Sequence, residues 1–279
     1  EWLQIYRSLI EIEPESIYDL CALNADCLNK LESLGIKKLT DIPDDFPLSG
    51  KQQLQIQATK QNKIFLEPVK IKEFLNSITF PLYFLDYETM ASVTPYFDGL
   101  RPYQQLPFQY SLHILETPDA ELKQVEYLHR NNQHPAEILT KKLISHIGTK
   151  GSILTWNAKF EKSCNTLLGS LLPEYQNFYE EVNSRILDLM YPFSTSLYVH
   201  KDFRGSASIK KVLPVLAPEL SYKKLGIQEG GSAQRLWMEA VLYGKRDEEK
   251  EQILTDLQKY CHLDTLAMVK IYEHLKRIS

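Results

Sequence analysis

PLYFLDYETM, residues 81–90, is the most informative stretch of the sequence, because it is nearly continuous in apolar and aromatic side chains. Such a run predicts a central β-strand that is covered on both faces. Asp86 and Glu88 interrupt it two positions apart, so both side chains project from the same face. Buried carboxylates are costly unless they are paired or bind a cation. The pattern predicts either a metal site or a strand end whose acids face solvent or a lysine.

The sequence after this strand predicts a mixed α/β domain over residues 77–279. Two further strand-like runs suggest an antiparallel meander, and a helix, a short strand and a second helix come next. The predicted ranges are 108–115 and 122–128 for the strands, then 135–147, 152–156 and a helix that contains Phe160. Residues 173–246 are predicted to form helices and loops.

Residues 1–76 predict a small helical appendage, because leucine and isoleucine recur there at steps of three and four. LESLGIKKLTDI, residues 31–42, resembles half of a helix-hairpin-helix unit, whose glycine turn offers backbone N–H groups to a phosphate. Simple packing of two short helices explains the same pattern. The first residue is Glu1 rather than Met, which predicts that the chain is a piece of a longer protein.

The composition narrows the class of protein. The chain has 279 residues, of which 43% are hydrophobic and 24% charged, and its net charge is -4. These values exclude a disordered chain and a broadly cationic DNA-coating protein, but not a local nucleic-acid groove. No apolar run reaches about 18 residues and no secretory signal is present, so we expect a soluble cytoplasmic protein without a membrane span. Its four cysteines show no CxxC spacing and are expected to be free thiols.

The C-terminal residues 248–278 predict one long amphipathic helix with a single unusual member on its buried face. Residues at steps of three and four form an apolar stripe in which only Asp264 is charged: Ile253, Leu257, Tyr260, Asp264, Met268, Ile271 and Leu275. Asp264 alone is explained equally by a cap on a neighbouring helix or by a buried arginine partner. Facing Asp86 and Glu88, however, it would create like-charge repulsion that a divalent cation relieves. The combination favours a metal site.

WNAKFE, residues 156–161, predicts a strand end that turns into a helix, with Asn157 at the N-cap and Glu161 in the first turn. A glutamate near a helix N-terminus is favourable without any function. Asp188, within RILDLM at residues 185–190, is a second acid in an apolar setting and competes with Glu161 for the place of a fourth ligand. We expect Glu161 to be the ligand, because it directly follows a strand.

Three stretches in this order, FLDYETM, WNAKFEK and YCHLDTLAMV, resemble the motifs of the DEDD (DnaQ-like) superfamily of 3′ to 5′ exonucleases. The motifs are D-x-E on a strand, N-x-x-F followed by an acid, and Y-x-x-x-D on a C-terminal helix. Tyr260 is typical of the tyrosine subclass, since the histidine subclass has its histidine where this chain has Lys259. RPYQQLPFQYSLHIL and SIKKVLPVLAPELSYKKLGI further resemble an uncharacterised bacterial branch, whose domains usually follow a RecB-like nuclease region. The resemblance covers about residues 78–278.

The resemblance implies an RNase-H-like mixed sheet flanked by helices and a two-metal centre. Two Mg²⁺ or Mn²⁺ ions, about 3.5 to 4 Å apart, would activate water and stabilise the leaving 3′ oxygen. They would be held by Asp86, Glu88, Glu161 and Asp264, and the hydroxyl of Tyr260 would orient the water. The implied activity is release of nucleoside 5′-monophosphates from the 3′ end of DNA or RNA.

Four further residues are candidates for contact with the nucleic acid, and two alternative functions remain open. Asn157, Arg101, Tyr103 and Lys210 are the candidate substrate contacts, although solvated or packed side chains would explain them equally. The chain also departs from the family, because its second motif has Glu161 where aspartate is usual. The alternatives are therefore a degenerate nucleic-acid-binding domain and a protein-interaction domain of the same fold. An upstream RecB-like region of the same longer chain is the expected partner.

Overall fold

The computed structural model of the chain describes residues 15–279. Residues 1–14 of the predicted helical appendage lie outside the described residues. The helices are α1 Ala25–Ser33, α2 Gly50–Gln61, α3 Pro68–Asn76, α4 Ala136–His146, α5 Ala158–Leu171, α6 Gln176–Arg185, α7 Tyr191–Ser194, α8 Ile209–Leu216, α9 Gly230–Trp237 and α10 Lys250–Ile278. The strands are β1 Phe65–Leu66, β2 Leu82–Met90, β3 Leu106–Leu115, β4 Lys123–Leu128, β5 Ser152–Thr155, β6 Ile186–Asp188 and β7 Tyr198–Val199.

Short turns of 3₁₀ or π helix complete these elements. The 3₁₀ turns are Ile17–Asp19, Leu39–Asp41, Pro173–Tyr175, Lys201–Phe203, Tyr222–Lys224 and Asp247–Glu249, and Met238–Leu242 is a π turn that continues α9. Within residues 15–279, none of the helices combines the length and the apolar character needed to cross a bilayer.

The described chain divides into two compact units, one made of residues 15–72 and 190–215 and the other of residues 73–189 and 216–278. One hydrophobic cluster of the first unit contains the buried side chains Ile17, Leu20, Leu31, Leu39, Ile42 and Ile56. In this unit β1 pairs antiparallel with β7. The domain boundary at residue 76 stays a prediction, and the structure groups residues 190–215 with the N-terminal residues.

The region predicted to resemble a helix-hairpin-helix lies in this first unit. Helix α1 ends before Gly35, whose φ of 70° is the left-handed conformation that glycine adopts readily at a helix end. The next helical element is a single 3₁₀ turn, Leu39–Asp41, rather than a full second helix. Phosphate binding at this turn stays a prediction.

The second unit contains a five-stranded mixed sheet in the order β4-β3-β2-β5-β6, flanked by helices. Strands β2, β3 and β4 form the antiparallel meander predicted from the sequence, and β5 and β6 run parallel to β2. The predicted mixed α/β class is therefore confirmed. Because β2 is central, nearly all of its side chains are buried, and Asp86 is its most exposed member.

Different helices cover the two faces of this sheet. On one face, the Gln109 side-chain amide donates a hydrogen bond of 3.0 Å to the carbonyl of Leu257 in α10. On the other, the Tyr87 hydroxyl donates one of 2.8 Å to Oδ1 of Asn165 in α5. Side chains alternate along a strand, so Asp86, like Glu88 opposite Gln109, faces α10.

The prediction of only helices and loops over residues 173–246 was wrong, because β6 and β7 lie there. Strand β6 has only three residues, and it extends the sheet through parallel pairing with β5. A run this short has no readable alternation, and its pairing with β5 is a long-range property. Strands β2, β5 and β6 consequently bring their carboxyl ends to the same edge of the sheet.

Candidate metal centre at the carboxyl end of the central strand

The two acids of β2 lie beside a thiol of α10. The register places Asp86 opposite Ser111 and Glu88 opposite Gln109, and a bulge follows Glu88. The Sγ atom of Cys261 lies 3.8 Å from Asp86 Oδ2 and 3.9 Å from the Asp86 carbonyl oxygen. Cys261 was not among the residues singled out from the sequence, although it directly follows Tyr260.

The predicted buried stripe of α10 is confirmed, since all seven of its members are buried in the structure. Tyr260 is 4% exposed and Asp264 is 7% exposed. Asp264 has a partner that was not considered from the sequence, because the Tyr222 hydroxyl donates a hydrogen bond of 2.5 Å to Asp264 Oδ1.

Tyr222 is a site residue that sequence reasoning missed. It begins a 3₁₀ turn capped by Ser221, whose hydroxyl oxygen accepts a hydrogen bond from the backbone of Lys223. Its ring centroid lies 6.0 Å from that of Tyr260. The local sequence LSYKKLG carries no periodic or spacing signal that points to Asp264, because 42 residues separate the two partners.

Glu161 lies in the first turn of α5 and is only 2% exposed. Its Oε2 atom is buried without a hydrogen-bond partner among the described residues. Burial raises the pKa of this carboxyl group well above its usual value, and the negative charges of Asp86 and then Asp188 raise it further. An orphaned, buried carboxylate oxygen close enough to Asp86 to feel its charge is an unusual arrangement for a purely structural acid.

Asp188 lies next to the same turn. Glu161 was preferred as the ligand because it directly follows a strand, and the structure shows that Asp188 has a similar position. Asp188 falls within residues 173–246, for which only helices and loops were predicted, whereas it ends β6 and pairs with Thr155 at the end of β5. Its Oδ1 accepts a hydrogen bond of 3.1 Å from the backbone N–H of Asn157. Both acids therefore follow or end a strand of the same sheet, and the choice of Glu161 as ligand stays a prediction.

Asn157 occupies the N-cap position of α5, as predicted, but in an unexpected conformation. Its φ of 78° is left-handed, and its side chain makes no capping hydrogen bond. Asparagine tolerates this conformation better than most residues. The residue therefore serves as a turn between β5 and α5, and its side chain is exposed.

The negative charges of this edge act on the buried groups of α10. Burial raises the pKa of the Tyr260 hydroxyl far above its usual range, and the charges of Asp264, Glu88 and Asp86 add to the effect. Burial likewise raises the pKa of the Cys261 thiol, and the negative charges of Asp86 and Glu88 raise it further. Acids of β2 and of α10, far apart in the sequence, therefore act on the same two side chains, Tyr260 and Cys261.

Three side chains offer metal-binding atoms that all lie within 4.8 Å of one another: Asp86, Glu88 and Cys261. Among the described residues, these are the three possible metal ligands that lie this close together, and Glu161 and Asp264 do not belong to the group. Asp264 is nevertheless close enough for its charge to act on Tyr260 and Cys261. A shared site with Asp86 and Glu88 stays a prediction.

The N-terminus of α9 approaches Glu88. A Cβ atom added to Gly230 would lie 3.8 Å from Glu88 Oε2, so glycine permits a close backbone approach. The helix is held there by Gln234, whose side-chain amide donates to the Ala91 carbonyl at 2.8 Å, and by Trp237, which stacks on Phe108 at 4.2 Å. The positive end of a helix dipole stabilises a neighbouring carboxylate.

The candidate substrate contacts fall in different places. Arg101 and Tyr103 are both exposed in the loop that follows β2, and Tyr103 has a left-handed φ of 61°. Lys210 lies in α8, within the compact unit of residues 15–72 and 190–215. Their proposed contacts with nucleic acid stay predictions.

The sequence is similar to a family described as "Domain of unknown function (DUF2779)", whose profile matches residues 83–208. The match includes Asp86, Glu88, Glu161 and Asp188 and ends before Tyr260. No solved structure matches the chain.

Three curated relatives come from mycoplasmas and a ureaplasma. "Uncharacterized protein MG366" of Mycoplasma genitalium is 25% identical over 240 residues, which cover 80% of this chain and 36% of the relative. "Uncharacterized protein UU173" of Ureaplasma parvum is 26% identical over 242 residues, 78% of this chain and 34% of the relative. "Uncharacterized protein MG366 homolog" of Mycoplasma pneumoniae is 23% identical over 210 residues, 69% and 32%. The chain thus spans about a third of the length of these relatives.

Proposed function

We propose that the chain is a metal-dependent 3′ to 5′ exonuclease that releases nucleoside 5′-monophosphates from DNA or RNA. One observation carries the proposal: acids from three distant parts of the sequence lie near enough to one end of the central strand for their charges to act on shared neighbours. Asp86 acts on Glu161, and Asp86, Glu88 and Asp264 together act on Tyr260. These are the residues that the resemblance to the DEDD superfamily singles out.

The sheet supports the finer proposal of an RNase-H-like fold. A three-stranded antiparallel meander is continued on one edge by two parallel strands, and helices lie on both faces. The D-x-E motif lies on the central strand and the Y-x-x-x-D motif on the long helix that covers it. This arrangement is the one in which the motifs of the superfamily would meet.

The donor set fits Mg²⁺ or Mn²⁺. Carboxylate oxygens are the preferred ligands of these hard cations, and Asp86, Glu88, Glu161 and Asp264 would supply them. The orphaned Oε2 of Glu161 is the observation that favours a cation here, because an ion would satisfy it. When bound, a pair of such ions supplies an activated water and stabilises the leaving oxygen.

The protein's own side chains have distinct parts in this proposal. Tyr260 keeps its proton, because burial and the neighbouring acids raise its pKa, so its hydroxyl orients water instead of acting as a base. Tyr222 holds Asp264 in place through its hydrogen bond of 2.5 Å. Gly230 allows the N-terminus of α9 to come close to Glu88 Oε2.

Substrate binding involves exposed side chains that lie outside the group of acids. Arg101 and Tyr103, in the loop after β2, would meet a phosphate and a base face of the strand whose 3′ end is cleaved. Asn157 would add a contact to the sugar-phosphate backbone. Lys210, in the unit of residues 15–72 and 190–215, is kept as a separate candidate for contact with a backbone phosphate. We also propose that an upstream RecB-like region of a longer chain is the partner and that the protein acts in the cytoplasm.

A second candidate is a catalytically degenerate domain that binds nucleic acid or protein. The observation that favours it is the burial of Glu161, at 2% exposure, together with the extra methylene relative to the aspartate that is usual in the second motif. A longer, deeply buried side chain has less freedom to adopt the geometry that a metal ion requires.

The test is a screen of DNA and RNA strands labelled at either the 3′ or the 5′ end, with Mn²⁺, Mg²⁺ or a chelator. Wild type should release a labelled mononucleotide at once from a 3′-labelled strand and shorten a 5′-labelled strand step by step. Asp264→Asn should reduce the rate to background. Asp119→Asn, an exposed acid in the turn between β3 and β4, is the matched control and should act like wild type.

The outcomes separate the candidates. Metal-independent binding of a labelled strand without any release would support the degenerate domain. Release that persists in Asp264→Asn, or a complete lack of both binding and release, would refute the exonuclease proposal.

A further inference from the structure

The candidate metal centre contains a sulfur atom that the exonuclease proposal does not use. Cys261 is fully buried, and its Sγ lies 3.8 Å from Asp86 Oδ2. Together with Glu88, these two side chains form the group whose ligand atoms all lie within 4.8 Å of one another. Magnesium and manganese prefer oxygen, whereas a thiolate selects softer cations such as zinc.

The spacing of the sulfur and the carboxylate oxygen suits a tetrahedral ion. With Zn–S near 2.3 Å and Zn–O near 2.1 Å, tetrahedral angles put the two ligand atoms about 3.6 Å apart. The distance between Cys261 Sγ and Asp86 Oδ2 is 3.8 Å, so a shift of a few tenths of an ångström would complete this edge. A zinc site with three protein ligands has a fourth position left for water or substrate.

A separate observation at the same edge of the sheet favours a cation there. Glu161, on α5, is 2% exposed, and its Oε2 has no hydrogen-bond partner among residues 15–279. The residue lies near enough to Asp86 to feel its charge. Glu161 is not a member of the close group, but a cation bound there, or a water on that cation, would supply a partner for its buried oxygen.

We propose that Asp86, Glu88 and Cys261 form a mixed carboxylate–thiolate site for a thiophilic divalent cation of the zinc class. As the metal–sulfur bond forms, the thiol proton leaves to the solvent. The site shares two acids with the proposed Mg²⁺ or Mn²⁺ centre, so zinc and the hard cations compete. This inference deepens the exonuclease proposal by making Cys261 a determinant of metal choice, but zinc-class binding itself requires no nuclease activity.

The test uses Cd²⁺ and Co²⁺ as spectroscopic probes of the full chain. Binding through sulfur gives an ultraviolet charge-transfer absorption, which should saturate at one ion per chain in wild type. Cys261→Ser should abolish this band and weaken Cd²⁺ binding by at least about 100-fold, since even partners outside the ligand set contribute 10- to 100-fold. Cys164→Ser is the matched control, because Cys164 is another buried free thiol of the same unit, with its Sγ 4.0 Å from the Gln105 carbonyl.

A second measurement needs no variant and guards against misfolding of Cys261→Ser. The ¹¹³Cd resonance of the wild-type complex should show the shift of an ion with one sulfur ligand. A shift typical of oxygen ligands alone, a band that survives in Cys261→Ser, or a band lost in Cys164→Ser would overturn the proposal. Because these readouts do not involve cleavage, they separate failure of the zinc-class site from failure of the exonuclease activity.

Discussion

Replacing Tyr260 with phenylalanine separates a catalytic role for this residue from a packing role. The substitution retains the ring, which is 4% exposed within the buried stripe of α10, and removes only the hydroxyl. A lost hydrogen bond costs about 0.5 to 1.5 kcal/mol net. At about 2 to 4 °C per kcal/mol for a domain of this size, the melting temperature should fall by about 1 to 6 °C.

The expected effect on the rate is much larger. A group that positions a proton or a water contributes about 100-fold at the lower end of its range. That factor corresponds to about 2.7 kcal/mol of transition-state stabilisation, which exceeds the expected loss of folding free energy. Mn²⁺ affinity should be nearly unchanged, because the buried phenol stays protonated and is not a proposed ligand.

Tyr222→Phe is the comparison that the structure offers. Tyr222 also lies beside Asp264, but its hydroxyl donates directly to that carboxylate at 2.5 Å. Hydrogen bonds to charged groups contribute about 1.5 to 3 kcal/mol, so this variant should lose more stability than Tyr260→Phe. The assay measures melting temperature, Mn²⁺ binding and the rate of 3′-end nucleotide release for wild type and both variants.

Equal cleavage rates for wild type and Tyr260→Phe would refute the reasoning. Tyr260 would then be a core aromatic, and the tyrosine-subclass interpretation would lose its mechanistic content. A fall in rate matched by an equal loss of Mn²⁺ affinity would also contradict the water-orienting role.

Three further predictions address the metal and the pH. Mn²⁺ at 100 times its dissociation constant should stabilise wild type by about 2.7 kcal/mol and raise its melting temperature by about 5 to 11 °C, and Asp86→Asn should abolish this rise in a thermal melt. In a metal titration and a cleavage assay, Glu161→Gln should lower Mn²⁺ affinity about 10- to 100-fold and abolish cleavage. Asp188→Asn should retain both properties, because asparagine can still accept the hydrogen bond from the Asn157 N–H. The reverse result would exchange the roles of the two acids. Burial, assisted by His262, lowers the pKa of His113 to about 4, so between pH 6.5 and 4 the unfolded chain binds a proton that the folded chain does not. The free energy of unfolding of wild type should therefore fall by up to about 3 kcal/mol as the pH drops through this window. Measured by urea unfolding, His113→Gln should lose less stability over the same window. An equal loss in the two proteins would contradict the low pKa of His113.

The parts of the site that follow a local period could be predicted from the amino-acid sequence. The apolar run of residues 81–90 required a central strand, and a two-residue spacing put Asp86 and Glu88 on one face. Steps of three and four placed Tyr260 and Asp264 on the buried side of α10. These properties depend on neighbours in the chain, so a pattern of side chains is enough to predict them.

The groups that contact those side chains became known only from the folded chain. Cys261 lies 175 positions from Asp86, and Tyr222 lies 42 positions from Asp264, so no local pattern records either contact. The three-residue strand that ends at Asp188 exists only because β5 pairs with it. The predicted stripe of α10 did not include Cys261. The buried face of this helix is wider than that stripe, because its width depends on the sheet against which the helix packs. Pairing and burial over long sequence distances follow from the packed chain, and they fix the chemistry of this centre.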